Sequence, residues 1–142
     1  MIAAEGKRRK AREALFRVVY QADLMGETYA QAWAAAREEE GLDDDQGQLV
    51  DDVVGTLDRC AADVDGALAA AAERWEVSRL AATDRAVLRA AVAELMGRPG
   101  TPARVILNEA IDIAKRFGSE DSGRFVNGVL DRVAHALRPG EL

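Results

Sequence analysis

Lys7, Arg8, Arg9, Lys10 and Arg12 put five cations into six positions near the start of the chain. Side chains of this type neutralise phosphates and release condensed counterions, which gives affinity for nucleic acid. The arginine fork adds a planar pair of donors that matches a phosphate or a guanine edge. Such a run also works against its own helix, because cations oppose the dipole at a helix N-terminus and repel one another. A cluster that is locally unfavourable points to a ligand; the competing readings are a solubilising helix head and a protein-docking arm. Aromatic rings nearby favour single-stranded nucleic acid, since exposed rings stack on bases. Tyr20 shares a helical face with Arg9 and Arg12, and Phe117 and Phe125 flank the junction of the last two helices. Core packing accounts equally well for each ring.

Other chemistry has little support. His135 is the single histidine and falls near a helix C-terminus, where a solvated or dipole-satisfied ring is the simplest reading. Cys60 is the single cysteine, which excludes an internal disulfide and a cysteine zinc site and suits a reducing cytoplasm. Its simplest role is that of a small buried hydrophobe. Carboxylates fall mostly on polar helix faces or in the run 38–45. No glycine-rich phosphate loop follows a strand, because no strand pattern exists. The expectation is a protein without catalysis, cofactor or metal.

The formal net charge is −6, which taken whole argues against a nucleic-acid binder. Distribution matters more than the sum. The acids concentrate in Glu38–Glu40 and Asp43–Asp45, and charges beyond a Debye length of about 8 Å are largely screened. The basic patch is therefore expected to survive locally. The N-terminus MIAAEGKRRKARE has no apolar run behind it and is not read as a secretory signal. No stretch approaches the ~20 apolar residues of a membrane span.

Abundant alanine and only three prolines favour helix, and the spacing predicts six. The first, from about Lys7 to Met25, carries the stripe Ala11, Leu15, Val18, Ala22 and Met25, with Arg9, Arg12, Phe16 and Tyr20 on a second face. A helix with two such faces packs between two partners, its end near Arg9 and Arg12 meeting solvent. The second runs from about Tyr29 to Glu40, with Thr28 as N-cap and Trp33 as core anchor. The third runs from about Gln48 to Arg74, followed by Trp75; Gly55 and Gly66 weaken the case for an unbroken rod. After a turn at 78–82, Thr83 caps the fourth, with Asp84 near the positive end of its dipole. Thr101-Pro102 starts the fifth and Gly118 ends it. Ser119 caps the sixth, and Arg138-Pro139-Gly140 forms a tail. The length of 142 residues fits one all-α domain, with subdomains of about 1–76 and 77–142.

The segment Asn108 to Asp131, NEAIDIAKRFGSEDSGRFVNGVLD, resembles the C-terminal signature of the NusB family of transcription antitermination factors. RRKAREALFRVVYQADL from Arg8 resembles that family's arginine-rich first helix, and TDRAVLRAAVAEL from Thr83 its fourth. The resemblance implies two three-helix bundles packed together and a protein that binds boxA RNA with the ribosomal protein NusE. The pair would join elongating RNA polymerase with NusA and NusG. It places RNA contacts at Arg8, Arg9, Lys10 and Arg12, with Lys7 at their edge and Tyr20, Lys115, Phe117 and Phe125 close by. It places partner contacts at Asp84, Arg89 and Asp121, and it implies a close helix contact at Asn127 and Gly128. One departure is Ala93, where the family often carries a bulky aromatic.

Two further readings compete. One is a NusB-like RNA-binding module of an RNA cytosine methyltransferase, which expects a large α/β catalytic domain after it. The other is a helical protein-interaction adaptor, of which a homodimer that buries the basic helix would be a regulatory form.

Overall fold

The computed structural model describes residues 2–72 and 79–142, with side chains from residue 6 onward. Among the described residues it is built from helices alone: α1 (Ile2–Met25), α2 (Tyr29–Glu40), α3 (Asp44–Arg59), α4 (Ala61–Ala72), α5 (Ala82–Gly97), α6 (Ala103–Phe117) and α7 (Glu120–Leu137). The all-helical class agrees with the composition. Trp75 and the other residues of 73–78, where the sequence ends one helix and starts a turn, lie outside the described residues.

Local chemistry sets most boundaries. Thr28 accepts from the Gln31 amide while the Gln31 side chain returns to the Thr28 amide, a reciprocal cap that starts α2. Asp43 and Gln46 do the same for α3, four residues earlier than the apolar ridge suggests. Ser119 accepts from the Ser122 amide and starts α7. Gly26, at φ 70°, lets the chain leave α1 in the left-handed region that glycine tolerates. Two caps differ from expectation. α5 begins at Ala82 behind Ala81 and has no side-chain cap. Thr101 is buried rather than capping, and Pro102 precedes α6.

The long third helix of the sequence reading is two helices. The break falls at Cys60, whose φ of −121° and ψ of 30° leave the helical region, and not at either glycine. Asp58, just before it, accepts from the amides of Tyr29 and Ala30 at 3.1 and 2.9 Å and so anchors the start of α2.

One continuous apolar core runs through the molecule, with Leu15, Val53, Leu68, Leu88, Val92, Ile106 and Leu130 fully enclosed. α5 is its axis and packs against α1, α3, α4, α6 and α7. Its alanines 86, 90, 91 and 93 are all buried, and small side chains let that many neighbours approach. Ala93, the departure from the family pattern, is completely enclosed. Gly97 ends α5 directly against the Thr56 side chain, where a Cβ would have no room. Arg138 is no loose tail. Its guanidinium donates to the carbonyls of Leu95 at 2.9 Å and Arg98 at 3.0 Å, satisfying acceptors that the end of α5 leaves open.

Candidate nucleic-acid interface

Because α1 starts at Ile2, the basic run lies one to three turns inside the helix. The dipole penalty invoked from sequence falls off within the first turn, so it does not apply here. Neither does the expectation that distant acids leave the patch bare. Arg8 donates through Nε and Nη2 to both oxygens of Asp45 on α3, at 3.1 and 3.2 Å. This hydrogen bond holds the Asp45 carboxyl below its usual range. Arg9 donates from Nε to Glu109 at 2.9 Å and from Nη2 to Asp112 at 2.8 Å, both on α6. The Glu109 bond raises its already high pKa further. Lys7 and Lys10 are exposed; the Lys10 ammonium lies 3.5 Å from the Gly41 carbonyl oxygen.

Arg12 corrects the sequence reading. It is 4% exposed and donates to Glu94 of α5 at 2.8 and 3.0 Å, with Glu109 at 3.3 Å. Glu94 is itself 2% exposed. A guanidinium enclosed in this way ties α1 to α5 and α6 and is not presented to a strand of RNA. The solvent-facing end of that helical face therefore stops at Arg9.

Further along the same face the side chains change from ion pairs to rings. Phe16 is buried and stacks on Phe117 at 4.9 Å between centroids, with Tyr20 6.0 Å away on its other side. Tyr20 and Phe117 each keep over a third of their surface in solvent. The Arg116 guanidinium sits 5.2 Å from the Phe117 ring centre, an attractive placement of a cation over a π-face. Arg116 also donates to Glu13 at 2.7 Å, and Arg17 to Glu40 at 2.8 Å. Lys115 is exposed, its stem lying across α7 where Gly123 has no Cβ to obstruct it. Lys7, Arg8, Arg9, Lys10, Tyr20, Lys115 and Phe117 thus lie on α1 and the end of α6, which pack together.

Phe125 lies elsewhere, in a shallow hollow at the start of α5 lined by Arg79, Leu80, Ala81 and Asp84. Asp84 Oδ1 is enclosed there without a hydrogen-bond partner among the described residues. Asp121 is exposed and pairs with Arg124 one turn away on α7. Arg89 is not presented outward. It bridges Asp65 of α4 at 2.9 Å and Asp23 of α1 at 3.0 Å, and Asp23 also accepts from the Tyr29 hydroxyl at 2.6 Å. Burial, with the bond to Asp23, pushes the Tyr29 hydroxyl pKa up. Arg89 therefore joins helices instead of forming an outer surface. Among the described residues no atom outside its own helix lies within 4 Å of where a Gly128 Cβ would stand; close approaches occur instead at Gly97 and Gly123.

The NusB family model matches residues 9–135. The chain belongs to the NusB family. The transcription antitermination protein NusB of Sorangium cellulosum is 41% identical over 93% of this chain and 94% of its own length. That of Myxococcus xanthus is 37% identical over 93% and 97%. Among solved structures, T. maritima NusB superposes with a TM-score of 0.80 at 34% identity, covering 89% of each chain. A crystal structure of antitermination factors NusB and NusE in complex with dsRNA gives 0.82 at 27% identity, over 92% of this chain and 97% of that one.

Within this NusB fold, sequence reasoning put Phe16 on the face of Tyr20 but missed its stacking on Phe117, and it missed Arg17 and Arg116 as cations of this region. The signal for Arg17 and Arg116 was present, since each adjoins an aromatic residue in sequence. Nothing local could place Phe16 on Phe117, which comes about a hundred positions later. The acids Asp45, Glu109 and Asp112 were missed for the same reason.

Proposed function

We propose that this protein is a non-catalytic transcription antitermination factor. It binds boxA-type single-stranded RNA together with NusE and joins elongating RNA polymerase, in the cytoplasm, with NusA and NusG. The observation that carries the reading is the pair of exposed rings, Tyr20 and Phe117, with the Arg116 guanidinium 5.2 Å from the Phe117 ring centre and further cations on the same two helices of a NusB-family fold. Exposed rings give stacking platforms that accept any base, and cations beside them track the phosphates. Lys7, Arg8 and Arg9 extend this face along α1. NusE, a basic ribosomal protein, would dock at Asp84 and Phe125 in the hollow at the start of α5 and at Asp121 on α7.

The test is binding of a boxA-type RNA, alone and with NusE, to wild type, Phe117→Ala and Lys7→Ala/Lys10→Ala. Weaker binding by each variant, and a salt slope reduced only by the lysine changes, supports the reading. Unchanged affinity in both variants removes this face from RNA recognition. Asp84→Asn/Asp121→Asn should weaken NusE binding more than RNA binding alone; the opposite order overturns the partner assignment.

A further inference from the structure

We propose that Asp45 and Asp112 are selectivity residues of the basic face: by holding Arg8 and Arg9 they make phosphate charge alone a poor ligand. RNA that also stacks on the exposed rings is then favoured over RNA that does not. This rests on the RNA-binding reading of the α1–α6 face.

The geometry of the pairs is the argument. Arg8 offers Asp45 the two-pronged arrangement that a phosphate would use, with both carboxylate oxygens engaged at 3.1 and 3.2 Å. Arg9 reaches Asp112 at 2.8 Å while also holding Glu109. Neither acid is a sequence neighbour of its arginine; α3 supplies one and α6 the other, so the fold sets them in place. Both acids keep 54% of their side-chain surface in solvent, and the arginines keep 22% and 33%. The pairs therefore sit where an approaching strand can reach them.

A phosphate that takes the Nε–Nη2 edge of either arginine must displace a carboxylate. It gains only the difference between two similar charge-assisted contacts, and it releases fewer counterions than at a bare cation. Sequence-independent binding draws nearly all its affinity from phosphate contacts, so it loses most. Stacking on Tyr20 and Phe117 is untouched by the acids. Selectivity is a difference of affinities, and the acids create one because a strand held by phosphate contacts alone depends on Arg8 and Arg9, whereas a strand that stacks on the rings can bind with the pairs closed.

The experiment compares Asp45→Asn/Asp112→Asn with wild type for a boxA-type RNA and an abasic strand of equal length, which offers phosphates but no base to stack, across a salt series with NusE present. Asp44→Asn/Glu39→Gln is the control, because it removes the same charge from exposed acids of the run 38–45 that hold no arginine among the described residues. We expect the abasic strand to bind several-fold tighter to the double asparagine variant, with its salt slope steeper by about 0.7, the value of one further phosphate contact, because Arg9 keeps Glu109. The boxA strand should gain less, so discrimination narrows, and the control should shift neither strand comparably. A control that tightens binding equally assigns the effect to net charge and overturns the proposal. Wild-type boxA binding with undiminished discrimination in the variant overturns it while the RNA reading stands. No binding of either strand by any form removes both.

Discussion

Arg9 and Arg12 lie one turn apart on the same face of α1, and both contact Glu109, yet their surroundings give them different work. Arg9 sits at the rim, where water screens its pairs and a competing anion can enter. Arg12 sits under α5 and α6 with Glu94, where neither is true. Rim ion pairs contribute up to about 1 kcal/mol each and exchange readily. A buried pair is weak evidence of net stabilisation, but losing one partner leaves an uncompensated charge. The contrast teaches that a basic run is not one functional unit. Packing divides it into cations that reach solvent and a cation enclosed by the fold.

The largest test of that division is Arg12→Ala. It strands Glu94 and should cost about 3–5 kcal/mol of unfolding free energy, read as a lower denaturation midpoint. Arg12→Met/Glu94→Leu should recover most of this loss, and failure to recover would show that the pair does more than neutralise itself. Phe117→Ala should weaken RNA binding by about 1–3 kcal/mol, the value of one stacked base, with a smaller effect on stability because the ring is part exposed. If its stability loss exceeds its binding loss, the ring belongs to the core. Lys7→Ala/Lys10→Ala should leave the melting curve in place and lower the single-strand salt slope by about 1.4. The same slope as wild type would assign phosphate contact to the paired arginines instead.

The smallest effect is a pH dependence. Arg8 lowers the Asp45 carboxyl, and Arg37, with the Trp33 indole, lowers that of Asp51, from an unperturbed 3.8. A depressed folded pKa means that the unfolded chain binds protons first. The stabilisation is thus complete above 3.8 and disappears as pH falls through the lower folded values. Both groups are largely solvent-screened, so the total should stay below about 1 kcal/mol. Asp45→Asn should flatten only its share, measured by denaturation between neutral and acid pH.

Several elements were legible because their causes are local. Thr28 and Ser119 were readable as caps and Gly26 and Gly118 as stops, because a cap or a helix exit involves residues within one turn. The ridges of α6 and α7 were readable because helical spacing repeats. The family signature from Asn108 to Asp131 likewise lay on the surface of the sequence. The break at Cys60 was not legible: no glycine or proline marks it, and the anchoring of α2 by the adjacent Asp58 is a contact between separate helices. Gly128 was misread because a mid-helix glycine indicates close packing only if a neighbour is there, and none is.

For the basic stretch itself, the sequence alone determined where five cations stand on one helix and which rings share their face. Charge type and helical period are properties of consecutive residues. Only the tertiary structure decided which of those cations a ligand can reach. Glu94 lies 82 positions from Arg12, and Asp45 lies 37 from Arg8. Whether a guanidinium is buried against one acid or half-open beside another depends on how α3, α5 and α6 pack on α1. That packing is set by the apolar core, and the charges themselves do not choose it.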